Sequence, residues 1–246
     1  MTGIRISRDA WPSIPTLSII IPVYNEAGTI ERIVTRVMAA SLPERIAREV
    51  LVVDDGSTDG TAAIVRRLQA AWPIRAFRFN RRRGKSEAVR LGLRQATGEI
   101  VIVQDADLEY DPAHLPHLLG PILAGQASIV FGSRFRGRIR RMAPLIRLAN
   151  RWSTWTVNLL FRTRLTDVNT GYKMVARRLL APLTLTAEEF GVDAELTAKL
   201  LRQGHRVIEV PIDYTGRTRR EGKKMNWLGA MQMYFDFIWY RFQPND

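Results

Sequence analysis

Cysteine is absent from this 246-residue chain, which excludes disulfides and thiolate metal sites and fits a reducing compartment. Histidine occurs three times, at positions 114, 117 and 205, and never inside a motif. Acidic side chains are scarce beside basic ones: 24 Asp and Glu against 37 Lys and Arg leave a net charge of +13. That excess implies an anionic partner, whether nucleic acid, a phosphorylated small molecule or an anionic membrane surface. No stretch approaches the ~20 uncharged apolar residues of a membrane-spanning helix, and the first residues show no apolar signal-peptide core. The expectation is a cytoplasmic chain with no transmembrane helix. Without repeats, low-complexity tracts or linkers, a single domain over 1–246 is expected.

Familiar phosphate and metal loops are missing too. No Gly-x-Gly-x-x-Gly follows the first apolar run, and Gly216 to Lys223 has no Ser or Thr after its lysine, so it is not a Walker loop. Asp54-Asp-Gly-Ser fails as a phosphatase nucleophile loop because Val53 stands where the first Asp is required. An EF-hand starting at Asp105 would need Gly where Tyr110 stands and an acid where Pro116 stands.

Strand and helix patterns do alternate. Strands are predicted at Leu17 to Val23, Glu49 to Val53, Ile74 to Phe79, Ile100 to Gln104, Ser128 to Gly132 and Arg206 to Pro211. Helices are predicted over about 26–40, 61–71 with Asp59 as N-cap, and Lys85 to Gln95. This βαβ spacing predicts an α/β fold: a Rossmann-like, mostly parallel sheet with helices on both faces. Ligands of such sheets bind beyond the strands' carboxyl ends. Pro22 to Glu26, Asp54 to Ser57 and Asp105 to Asp107 all fall there.

The richest segment is Ile100 to Pro112, where an apolar run ends in Asp105, Asp107 and Glu109. On an extended strand these alternate positions share one side, so three carboxylates would converge and repel unless a cation neutralised them. Two readings stand: a site for a hard divalent cation shared with phosphates, or solvated acids in a strand-to-loop turn.

Ile20-Ile-Pro-Val-Tyr-Asn-Glu, Val53-Asp-Asp-Gly-Ser-Thr-Asp-Gly-Thr, Arg83-Gly-Lys and Asp105-Ala-Asp stand in the order found in family 2 glycosyltransferases of the GT-A fold. Gly132-Ser-Arg, Asp167-Val-Asn-Thr-Gly-Tyr-Lys, Glu189 to Leu196, Glu209-Val-Pro-Ile and Gly216 to Lys224 resemble that family's polyprenyl-phosphate branch, which includes dolichyl-phosphate mannose synthases. The resemblance spans about 17–227 and implies an inverting, metal-dependent hexosyltransferase using Mg²⁺ or Mn²⁺. The donor would be GDP-mannose, favoured, or UDP-glucose, and the acceptor a polyprenyl phosphate. A sugar hydroxyl as acceptor is the alternative within enzymes; a basic nucleic-acid-binding module is the one outside them, resting on charge alone.

By the same resemblance Pro22, Tyr24, Glu26, Asp55, Lys85, Asp105 and Asp107 bind the nucleotide sugar, while Asp105, Asp107 and Glu109 hold the metal. Ser133 and Arg134, with Arg217, Arg219 and Lys223, would hold the acceptor phosphate and donor diphosphate, Asp107 and Arg134 being catalytic. A solvated basic face is the plainer reading of these arginines. Asp193 and Glu195 are candidates for a base or sugar contact. A phosphomonoester (second pKa ~6) is already nucleophilic at neutral pH, so no histidine base is needed.

Arg138 to Leu165 and an aromatic segment over about 225–242 mix basic and large apolar residues. Amphipathic C-terminal helices lying on the inner face of the cell membrane are one expectation; core packing or a homo-oligomer contact is the other.

Overall fold

The computed structural model describes residues 15–44, 46–189, 191–217 and 227–243. Four strands in the first half, β1 (Thr16–Val23), β2 (Ala47–Asp54), β3 (Ile74–Arg78) and β4 (Ile100–Val103), are joined by α1 (Ile30–Ala39), α2 (Thr61–Ala71) and α3 (Lys85–Gln95). Then follow α4 (Leu115–Leu123), β5 (Ile129–Ser133), the short β6 (Ile139–Arg140) and α5 (Pro144–Phe161). The chain ends with β7 (Lys173–Ala176), α6 (Val192–Arg202), β8 (Val207–Pro211), β9 (Tyr214–Thr215) and α7 (Trp227–Phe242).

Seven strands form one sheet in the order β3-β2-β1-β4-β7-β5-β8, and β6 pairs with β9 beside it. All pairings in the large sheet are parallel except those of β7, which runs antiparallel to β4 and β5. The expected strand at the edge is β8. β7 escaped prediction because its four residues follow a polar turn and carry Lys173.

Alternation along β1 assigns the two faces. Leu17, Ile19, Ile21 and Val23 pack with Ile33, Val34, Leu68 and Leu118 from α1, α2 and α4. Ile20 points the other way, against α3, and so closely that a Cβ on Gly92 would lie 2.3 Å from Ile20 Cγ2. On that second face Phe131 and Val175 pack against Val157 of α5, Ala194 and Ala198 of α6, and Phe237 of α7. Helices therefore cover both faces, as expected for strands apolar on both sides.

Two local expectations need correction. The helix expected over 26–40 begins at Ile30. Gly60, at φ +92°, is the N-cap of α2; Asp59 sits one residue further out, with its carboxylate accepting from Thr61 N, Thr61 Oγ1 and Ala27 N.

Candidate active site

At the carboxyl ends of β1, β2, β4 and β5 the chain leaves the sheet, and the side chains there line a cavity of about 210 Å³. Pro22, Val23, Tyr24, Glu26 and Asp55 border one part of it; Lys85 starts α3 beside Asp105 and Asp107. Tyr110, Arg134, Asn150, Asn169, Tyr214 and Arg217 also line it.

The acidic segment is not extended. β4 ends at Val103, and Leu108 turns the backbone at φ +62°, so the three acids point to different partners. Asp105 pairs with Lys85 at 2.7 Å and Asp107 with Arg217 at 3.3 Å. Glu109 accepts from Tyr214 Oη at 2.6 Å and from the Arg217 N–H at 2.7 Å, which ties the acidic turn to the segment after β9. Among the described residues no group of three His, Cys, Asp or Glu has the geometry of a metal site. The three-carboxylate convergence expected on an extended strand is thus overturned by the turn at Leu108, although Asp107 still feels both neighbours. Burial, then Asp105 and Glu109, push its carboxyl up to about 7.

Two neighbouring carboxyls on the cavity wall, each touched by one cation and one of them still pushed up by burial and its acidic neighbours, offer the hard oxygen donors a divalent cation takes. Asp105 and Asp107 therefore fit Mg²⁺ or Mn²⁺. Glu109, occupied by Tyr214 and Arg217, fits less well.

Lys85 and Arg217 neutralise this rim from within. Lys85 also reaches Asp193 at 3.4 Å. Burial works against its charge, but Asp105 and Asp193 outweigh burial and hold its pKa above the ordinary lysine value. Arg217 donates through Nη1 and Nη2 to Glu26 at 3.0 Å each. Its pKa is likewise raised, with Glu26 and Asp107 overcoming desolvation. Asp55 accepts from the N–H groups of Arg83 at 2.6 Å and Gly84 at 2.9 Å, fastening the loop that delivers Lys85. Burial nevertheless raises its pKa. Tyr24 lies under the Arg82 guanidinium, 5.2 Å from ring centroid to Cζ.

Three expected residues are placed differently. Ser133 is fully buried and bonds Thr166 Oγ1 at 2.6 Å instead of lining the cavity. Glu195 is also fully buried; it accepts from the N–H groups of Thr186 and Ala187 and pairs with Lys199. Helix positions two apart do not share a face, so Asp193 lines the cavity and Glu195 cannot. Arg134 does line it, but its fork is engaged by Asp167, Nε to Oδ2 and Nη2 to Oδ1 at 2.7 Å each. Arg219 and Lys223 lie outside the described residues.

Sequence reasoning passed over Tyr110, Asn150, Asn169 and Tyr214. Tyr110 Oη accepts from Gly171 N at 2.9 Å, and its ring lies 4.9 Å from Tyr172 and 5.4 Å from Tyr214. Asn169 donates to Asn150 Oδ1 at 3.0 Å. Only the Asp167-Val-Asn-Thr-Gly-Tyr-Lys motif signalled any of them.

The glycosyl transferase family 2 model matches residues 18–176, which hold every strand end on this rim except those of β8 and β9. The chain belongs to that family. It is 33% identical to polyprenol monophosphomannose synthase of Mycolicibacterium smegmatis over 214 residues, covering 81% of this chain and 77% of that one. It is 28% identical to dolichol-phosphate mannosyltransferase of Pyrococcus furiosus over 212 residues, 84% of this chain. It spans 58% of the length of that relative and 33% of glycosyltransferase AglD from Haloferax volcanii. Its fold is that of the GT-A glycosyltransferases. Glucosyl-3-phosphoglycerate synthase of Mycobacterium tuberculosis, solved with Mn²⁺ and UDP, superposes with a TM-score of 0.71 at 23% identity, over 94% of this chain and 81% of that one. The same enzyme has been solved with Mg²⁺ and UDP.

Proposed function

We propose that this family 2 chain transfers a hexose, mannose favoured, from a nucleotide sugar to a polyprenyl phosphate with inversion. One observation carries the reading: a cavity on the strand-end rim where two carboxylates, Asp105 and Asp107, face two cations, Lys85 and Arg217. Family membership and the names of the relatives support the substrate class.

Tyr24, Pro22 and Asp55 take the nucleoside, and Asp105 and Asp107 would hold a divalent metal, which supplies positive charge to the diphosphate. Arg217 swings its guanidinium from Glu26 to the diphosphate and stabilises charge on the leaving group. Lys85 stays between Asp105 and Asp193, on the nucleotide side. Arg134, held by Asp167 through Nε and Nη2, would offer its remaining Nη1 hydrogens to the acceptor phosphate. That phosphate supplies its own oxyanion, so the three histidines have no part in the chemistry.

The acceptor would lie on a membrane. Among the described residues no helix is long and apolar enough to cross one. On α5, however, Leu145, Leu148, Trp152, Trp155 and Leu159 form an exposed stripe, continued on α7 by Phe235, Trp239 and Phe242. The opposite side of α5 contributes Ile146 and Asn150 to the cavity wall, so one helix serves surface and site. Exposed arginines on α5, Arg147 and Arg151, suit an anionic bilayer.

Thermal stabilisation by GDP or UDP is expected only with Mn²⁺ present and is lost in Asp107→Ala; a shift that survives Asp107→Ala overturns the site assignment. Transfer from a panel of nucleotide sugars to a short polyprenyl phosphate identifies the donor. Failure to float with anionic liposomes would count against the membrane reading.

A further inference from the structure

Glu209 belongs to the Glu209-Val-Pro-Ile motif, to which the proposed reaction assigns no task. It lies in the edge strand β8, opposite Phe131 of β5 in the parallel register, and does not line the cavity. Its carboxylate reaches instead to the turn between α5 and β7. There it accepts from Thr166 N through both oxygens, at 2.9 and 2.8 Å, from Thr166 Oγ1 at 2.9 Å and from Asp167 N at 3.0 Å. An ionised carboxylate only accepts, so the Thr166 hydroxyl hydrogen goes to Glu209. Ser133 is then the donor in its 2.6 Å bond to Thr166.

The flanks of the turn are held from another element. Leu165 N donates to Asn158 Oδ1 at 2.8 Å and Val168 N to Thr154 Oγ1 at 3.2 Å, both acceptors on α5. Helix α5 thus fixes positions 165 and 168, and Glu209 fixes 166 and 167 between them. Asp167 in turn grips Arg134 at three points: its backbone N–H at 2.9 Å, Nε and Nη2. Two adjacent residues leaving β5, Ser133 and Arg134, are therefore bonded to two adjacent residues of the turn, and both of those rest on one carboxylate.

We infer that Glu209 is the positioning residue for Arg134, acting through the Thr166-Asp167 turn. A group that binds by fixed geometry needs its own neighbours locked. Asp167 is fully buried, and a buried ion pair is favourable only while its geometry and remaining hydrogen bonds are satisfied. Without Glu209, Thr166 N, Thr166 Oγ1 and Asp167 N lose this acceptor, and the guanidinium follows the turn. The link from Glu209 to Arg134 stands on geometry; its consequence for the acceptor phosphate rests on the proposed function.

The test compares Glu209→Leu, which removes both acceptor oxygens, with Glu209→Gln, which keeps Oε1 for the two N–H groups. One readout is solvent exchange of the Arg134 Nε–H by NMR, the signal being identified by its absence from Arg134→Lys. The other is KM for a short polyprenyl phosphate. In Glu209→Leu the exchange should quicken about tenfold and the acceptor KM should rise about tenfold, the loss of one charge-assisted contact. Glu209→Gln should stay close to wild type. KM for the nucleotide sugar and the metal-dependent GDP shift should hold, a split that a general loss of stability would not produce. If Glu209→Leu fails to fold, Glu209→Asp, one methylene too short to span the turn, takes its place with the same expectations.

Unchanged exchange in the folded variant overturns the proposal, whatever KM does. Faster exchange with an unchanged acceptor KM supports the link and counts against Arg134 as a ligand of the acceptor. Absence of any transfer by the wild type sinks the proposed function, and the exchange rates still decide the role of Glu209.

Discussion

The reaction cavity and the joined ends of α5 and α7 both hold basic side chains, yet they hold them differently. In the cavity Lys85, Arg134 and Arg217 each face carboxylates: Asp105 and Asp193, Asp167, and Glu26 with Asp107. At the joined ends of α5 and α7 Arg241 rests on the Leu160 carbonyl and over the rings of Phe161 and Phe242. A cation paired with an acid is neutral to an approaching anion until the pair is broken, so on the proposed function the cavity would admit a diphosphate only in exchange, with a second cation to satisfy the acids left behind. A cation held by a carbonyl keeps its charge. The first arrangement makes a switch and the second a standing attraction.

The cavity pairs are themselves unequal, and breaking them in turn sharpens the contrast. Arg134 is 6% exposed and Asp167 fully buried. Arg134→Met should strand a buried carboxylate and cost about 3–5 kcal/mol in denaturant unfolding, whereas Arg134→Met/Asp167→Leu should recover most of it. Removal of Arg134 with little loss of stability would mean that the pair is exchangeable after all. Asp107→Asn should lower kcat/KM on the order of a thousandfold and flatten its dependence on added metal. Arg217→Ala should cost on the order of a hundredfold, mostly in kcat, if the proposed contact to the leaving diphosphate grows in the transition state.

The smallest effect concerns Lys173, a buried lysine that donates to the Asp193 carbonyl at 3.0 Å. Burial lowers its pKa to about 8 from an ordinary 10.5. Between those values the unfolded chain binds more protons, so stability rises with pH through the window, and the penalty is complete below about 8. Lys173→Met should stabilise the protein on the order of 2 kcal/mol at neutral pH. The gap to the wild type should close as pH approaches 10.5, checked by urea midpoints across that range.

Much of the first half was legible. Apolar runs bounded by polar turns marked β1 to β4, and α3 spans Lys85–Gln95 as its pattern implied. These elements form from local periodicity, and their strand ends carry Glu26, Asp55, Lys85, Asp105 and Asp107. The rest depended on partners far along the chain. Ser133 and Arg134 are adjacent, yet one is sealed behind Thr166 and the other reaches the cavity. Arg134 meets Asp167 across 33 positions and Arg217 meets Glu26 across 191. No spacing rule connects such residues.

By itself the sequence determined the alternating α/β pattern, the family and the acids at the strand ends, because backbone periodicity and short motifs are local properties. Which basic residues are neutralised and which keep their charge was decided only by the tertiary structure. Pairing depends on distance, and distance is set when the turn at Leu108, the antiparallel β7 and the joined ends of α5, α6 and α7 bring remote side chains together.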